Sequence, residues 1–110
     1  YDDYPVICFM QIEDLGFCSK GDAAKFVRER DLTVESGDFP FNTSGGQLST
    51  GQAGAGGGYI GIVETLRQLT GQVQGYQVEN ASHGLAAFFG MINYDRGLCT
   101  SAVILGRADA

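Results

Sequence analysis

The stretch Asn42–Gly58, NTSGGQLSTGQAGAGGG, constrains this chain more than any other. Seven of its seventeen residues are glycine, and it runs directly into the apolar-periodic segment that begins at Tyr59. Glycine-rich backbone ahead of a helix has three ordinary uses: a phosphate cradle, a flexible linker, or a loop that must approach other groups closely. Gly56-Gly57-Gly58-Tyr59-Ile60-Gly61 formally matches G-x-G-x-x-G. The match lacks its context, because a dinucleotide turn follows its strand at once, and no Gly-Lys-Ser/Thr follows these glycines. A linker separates two cores, yet the flanking segments are each too short of neighbours to stand alone. A functional loop is the preferred reading.

Around it the chain reads as one α/β domain over residues 1–110. Pro5–Ile12 is apolar almost throughout. Pro5 suits a first helical turn and Gly16 a C-terminal cap, so a helix is expected. A second short helix opens at Gly21-Asp22, with Ala23, Phe26 and Val27 on one face. Phe39–Thr43 reads as a brief strand or extended entry. Tyr59, Ile62, Val63, Leu66 and Leu69 fall at helical spacing, with Glu64, Arg67 and Gln68 assigned to the solvent side and Gly71 as the stop. Gly84–Phe89 and Leu98–Leu105 read as buried strands joined by an eight-residue loop, Gly90–Gly97.

Net charge is −6, the wrong sign for a general binder of nucleic acid. The longest apolar run is far short of the ~20 residues of a membrane span. Cys8, Cys18 and Cys99 have no C-x-x-C spacing, and one histidine, His83, cannot complete a zinc set, so no metal site is expected. Free thiols in a reducing cytoplasm are the simplest expectation, with Cys8 and Cys99 as buried small hydrophobes. His83 precedes a strand and reads as a surface residue. Tyr94-Asp95-Arg96 reads either as solvated turn chemistry or as an anchored hydroxyl able to act as acid or hydrogen-bond donor.

At Asn42-Thr43-Ser44-Gly45-Gly46 the chain resembles the thiolase superfamily, whose members carry Asn-x-Ser-Gly-Gly, then Gly-His-Pro, then Gly-Ala and a helix. Gly51-Gln52-Ala53-Gly54-Ala55 has the spacing of the second block, with Gln52 where the family has histidine. Tyr1-Asp2-Asp3-Tyr4 falls where the family has Asn-Glu-Ala-Phe or His-Asp-Cys-Phe, and Gln11–Cys18 matches the following helix text. Gly90–Gly97 falls at the family's Cys-x-Gly loop. The resemblance covers nearly all 110 residues. It implies the C-terminal half of a thiolase-like fold, with a mixed sheet and helices on its faces. It also implies a chain several times longer, whose N-terminal half carries the acylated cysteine and whose parent dimerises, without a bound cofactor and with a CoA thioester as substrate.

The same resemblance implies that Tyr1, Gln52, Asn93 and Tyr94 occupy catalytic positions, and that Asp2, Ser44, Gly45, Gly46 and Gly54 border the acyl-CoA site. Gln52 can donate a hydrogen bond to an oxyanion but cannot take a proton at neutral pH. These departures point away from ordinary Claisen thiolysis. The expected function is acyltransferase-type carbon–carbon bond formation or cleavage on a CoA thioester; the alternative, which these departures fit, is that of the thiolase-like retro-aldolases that act on steroid side-chain CoA thioesters, use tyrosines, and pair with a small OB-fold partner. A non-catalytic acyl-CoA or lipid-binding module, and a structural piece with an orphaned interface, are the alternatives from other classes.

Overall fold

The computed structural model describes residues 1–52 and 54–109; Ala53 of the glycine-rich stretch and Ala110 lie outside that range. Four helices and two strands follow in order: α1 (Pro5–Asp14), α2 (Ala23–Glu29), α3 (Gly46–Thr50), a 3-10 turn (Gly54–Tyr59), α4 (Ile60–Thr70), β1 (His83–Asn93) and β2 (Arg96–Gly106). The α/β class is as expected. Among the described residues the sheet is one antiparallel pair, in register from His83 opposite Gly106 to Asn93 opposite Arg96.

The local signals act where the sequence places them. Pro5 opens α1. Gly16, at φ +83°, closes it with Gly16 N–H donating to Glu13 O and Phe17 N–H to Ile12 O. Gly71, at φ +70°, ends α4. Glu13 reaches across the intervening turn, and its carboxylate accepts the Ala23 N–H at the start of α2. A polar turn follows α2. The Asp31 carboxylate accepts from Thr33 N–H, Thr33 Oγ1 and Ser36 Oγ, and the Asp38 carboxylate from Arg30 and Asp31 N–H. That turn delivers Phe39 to Phe17 and Phe26, with ring centroids 4.9 and 5.0 Å apart in edge-on geometry. Phe39–Thr43 is the extended entry rather than a strand, with Phe39 and Phe41 N–H groups donating to Asp31 and Leu32 carbonyls.

Four expectations are corrected. The glycine-rich stretch is not one loop, because α3 and the 3-10 turn both fall inside it. The hairpin has a two-residue turn, Tyr94-Asp95, rather than an eight-residue loop, since pairing runs on to Asn93–Arg96. The third correction concerns the faces of α4. Tyr59, Val63 and Leu66 are 67, 41 and 48% exposed, whereas Thr65, Gln68 and Leu69 are buried. The helix meets β1 through small groups: Gly61 lies against Ala86 and Phe88, and Gly84 leaves its Cβ position to the Thr65 methyl. Cys99 is exposed, not buried, and Cys8 half-buried.

Gln68 explains why a polar residue belongs inside. Its amide N–H groups donate to Glu64 Oε1 and to the Tyr76 carbonyl, each at 2.9 Å, and its Oε1 accepts from Val78 N–H and Gln77 Nε2. One side chain thus fastens the whole Gln72–Ser82 connection. Gln68→Ala leaves the part-buried Tyr76 carbonyl and Val78 N–H without their partner and should cost about 1–3 kcal/mol, read as a lowered midpoint in urea unfolding with faster amide exchange at Val78.

The carboxylates of this region set the acid limit. Glu13 is held below its ordinary value by the Gly21 and Ala23 N–H groups, Asp31 by the Thr33 N–H and hydroxyl, and Asp38 by the Arg30 guanidinium. A depressed folded-state value stabilises the fold above the unfolded value and is lost as pH falls through the folded one. The thermal midpoint should therefore hold at neutral pH and drop once pH passes below about 4.5, with a shallower drop in Glu13→Gln.

Candidate active site

Ahead of α1 the chain bends at Asp3 and Tyr4, and the Tyr1 hydroxyl and the Asp3 carboxylate meet. Asp2 points toward the glycine-rich stretch. Its Oδ1 accepts the Gln47 N–H at 2.8 Å and its Oδ2 the Leu48 N–H at 3.4 Å, meeting the free donors of α3. Only a glycine permits this. Gly46 sits at φ +71°, and a Cβ there would overlap Asp2 Oδ2 and crowd Asn42 Nδ2. From the other side Thr43 Oγ1 donates to Glu64 Oε1 of α4 at 2.7 Å. The Asn42–Gly46 turn is therefore clamped between the segment before α1 and the inner face of α4.

Tyr1 is fixed in three ways. Its main-chain nitrogen donates to Gln11 Oε1 and its carbonyl accepts from Cys8 Sγ, both on α1 at 3.2 Å. Its ring packs on Phe89 of β1 with centroids 5.7 Å apart. Its hydroxyl donates to Asp3 Oδ2 at 2.6 Å. That hydrogen bond to a carboxylate, with burial and the Asp3 charge adding to it, holds the phenol above its ordinary value, while the Gln52 amide pulls the other way. Burial likewise pushes the Cys8 thiol up, so it is a protonated neighbour rather than a thiolate.

These groups border a cavity of about 330 Å³ between α1, the Phe39–Gln47 segment, α4 and β1. Tyr1, Asp2 and Gln47 line its polar end, and Ile12, Phe41 and Phe88 line apolar wall. Gln47 Oε1 is buried without a hydrogen-bond partner, a spare acceptor beside that space. No cluster among the described residues could hold a metal ion, and no helix is long and apolar enough to cross a membrane.

Of the residues singled out from sequence, Tyr1, Asp2, Ser44 and Gly46 meet around this cavity. Gly45, at φ +90°, precedes α3, and Gly54, at φ +57°, opens the 3-10 turn. Gln52 is exposed, with its Cγ beside Gly57. Asn93 and Tyr94 lie outside the lining, at the hairpin end, and Tyr94 is 91% exposed at φ +53°. Sequence reasoning missed Asp3, Gln47 and Glu64. The Tyr-x-Asp spacing was a usable sign for Asp3. Nothing local marks a contact such as Thr43–Glu64.

The thiolase C-terminal domain-like family matches residues 1–107. The chain belongs to the thiolase superfamily. Over 106 residues it is 38% identical to the 17-hydroxy-3-oxo-4-pregnene-20-carboxyl-CoA lyase of Mycobacterium tuberculosis, covering 96% of this chain and 25% of that protein. Over 108 residues it is 34% identical to the steroid side-chain-cleaving aldolase of Thermomonospora curvata, covering 96% of this chain and 24% of the aldolase. A benzoylsuccinyl-CoA thiolase subunit of Thauera aromatica is 33% identical over 79 residues, 72% of this chain and 20% of the subunit. This thiolase domain thus spans about a quarter of the length of the curated relatives it matches. No solved structure matches it.

Within the thiolase domain Gly46 is the residue that lets the Asn-x-Ser-Gly-Gly turn meet the opening segment. Gly46→Ala must leave the left-handed region and displace Asp2, a loss of about 2 kcal/mol, visible as a lowered unfolding midpoint that Gly58→Ala, in open space at negative φ, does not reproduce.

Proposed function

We propose that this chain is the C-terminal domain of a longer acyl-CoA enzyme that makes or breaks a carbon–carbon bond beside a thioester, and that the bond is cleaved by a retro-aldol step. The observation that carries the reading is Tyr1, which borders the cavity with its hydroxyl held by Asp3 and the Gln52 amide near it. These groups stand where the thiolase pattern has residues that take protons or orient a thioester oxygen.

A retro-aldol substrate carries a hydroxyl on the carbon β to the thioester. Cleavage needs a group that receives the hydroxyl proton and donors that hold the enolate oxygen. Tyr1 takes the first role. Gln52 and N–H groups of the glycine-rich segment take the second, since an amide donates without needing to change charge. Ser44, Gly45, Gly46 and Gly54 keep backbone near the thioester, and Asp2 holds that backbone in place. Asn93 and Tyr94 are proposed to join from the hairpin. The names of the two longest-matching relatives, a lyase and an aldolase, support this choice.

The reading extends to an N-terminal thiolase half, a homodimer, a small OB-fold partner and a cytoplasmic setting. Thiolysis is the second reading, favoured by the resemblance to a thiolase subunit. The test is an assay of the full-length protein with a β-hydroxyacyl-CoA, following release of the carbonyl fragment. Tyr1→Phe should lower kcat about 100- to 10,000-fold and Gln52→Ala about 100-fold or more. Robust thiolysis without aldol cleavage would overturn the reading.

A further inference from the structure

A phenol makes a poor base at neutral pH, and Tyr1 is held above its ordinary value by its own surroundings. Taken alone, Tyr1 has no means of accepting a proton. The geometry supplies one. Its O–H is already aimed at Asp3 Oδ2 at 2.6 Å, within the range of short hydrogen bonds to carboxylates. One lone pair of the oxygen faces the Gln52 amide and the other is left for a different partner. A phenol in this state cannot donate to an incoming hydroxyl and is set to accept from it.

We propose that Asp3 is the terminal proton acceptor of a relay that runs from the substrate hydroxyl through Tyr1 to the Asp3 carboxylate. The proposal rests on the retro-aldol reading above. In the step, the β-hydroxyl proton moves to Tyr1 Oη as the phenolic proton moves to Asp3 Oδ2. The O–H electron pair becomes the second bond of the new carbonyl. The Cα–Cβ bond breaks, and its pair passes to the thioester fragment as an enolate. The proton on Asp3 then returns through Tyr1 to Cα, so the carbonyl and thioester fragments leave with no net change in protons. Tyr1 touches substrate and Asp3 does not, which makes Asp3 a positioning residue that also stores the proton.

The neighbourhood fits this division. Asp2 is committed to the Gln47 and Leu48 N–H groups. Among the described residues Asp3 accepts only from Tyr1. The other titratable group bearing on the Tyr1 hydroxyl is Tyr4 of the same segment. α1 offers the Cys8 thiol and Gln11 amide to Tyr1's main chain, β1 offers the apolar Phe89 ring, and the segment after α3 offers the neutral Gln52 amide.

The test measures kcat and KM against pH for the full-length protein with a β-hydroxyacyl-CoA. Asp3→Asn should lower kcat about 100-fold at pH 7 with little change in KM. Its rate should then climb with pH as Tyr1 ionises, because tyrosinate replaces the lost relay. Asp3→Glu should restore most of the neutral-pH rate. In ultraviolet titration, Asp3→Asn should move Tyr1 ionisation to lower pH, a readout that does not need turnover. Asp3→Asn with undiminished kcat and the parent pH profile, beside an inactive Tyr1→Phe, overturns the relay and leaves the retro-aldol reading standing. A loss that is equal at every pH and unrescued by glutamate overturns it too. Full activity of Tyr1→Phe removes the retro-aldol reading itself.

Discussion

The contact between the Asp2 carboxylate and the first N–H groups of α3 is the constraint on which the rest of the site depends. It joins residues 45 positions apart and exists because position 46 has no side chain. A charged acceptor on backbone donors is stronger than a neutral pair, and here it satisfies donors that a five-residue helix would otherwise leave open. The segment that carries Tyr1 is thereby tied to the stretch that carries Gln52. The glycines of Asn42–Gly58 serve this approach of backbone to carboxylate, which is a different task from cradling a phosphate.

Two adjacent acids divide their labour. Asp2 reaches the glycine-rich stretch while Asp3 holds the Tyr1 hydroxyl. One organises backbone and the other organises a hydroxyl. Exchanging their positions would leave composition unchanged and dismantle both arrangements. The dipeptide therefore carries information in its order as well as its charge.

Much of the fold was legible in the residues themselves. Pro5 and Gly16 bound α1, Gly71 stops α4, and the motif blocks around Asn42–Gly58 point to the thiolase superfamily. Those signals are local or are carried by order along the chain. The face of α4 was not legible, because periodicity marks an apolar stripe and assumes that the stripe turns inward. Here Glu64 and Gln68 are needed on the inner side to satisfy Thr43 and the Tyr76–Val78 backbone, and Gly61 and Gly84 let the helix sit close to the sheet. The hairpin turn was misjudged for a related reason. Strand pairing carried Asn93 and Arg96 into the ladder, and Tyr94 took a left-handed conformation that its residue type rarely adopts. Within the site, Tyr1 and Gln52 stood out as departures from a pattern, whereas Glu64 and Gln47 matter only through where the fold sets them.

The polar inner face of α4 has a thermodynamic side as well. Apolar surface released on opening a contact raises heat capacity, and polar surface lowers it. A helix seated by glutamine, threonine and glutamate detaches with a small change of this kind. Its hold on the sheet therefore varies gently with temperature, unlike the Phe17–Phe26–Phe39 cluster, whose grip weakens in the cold.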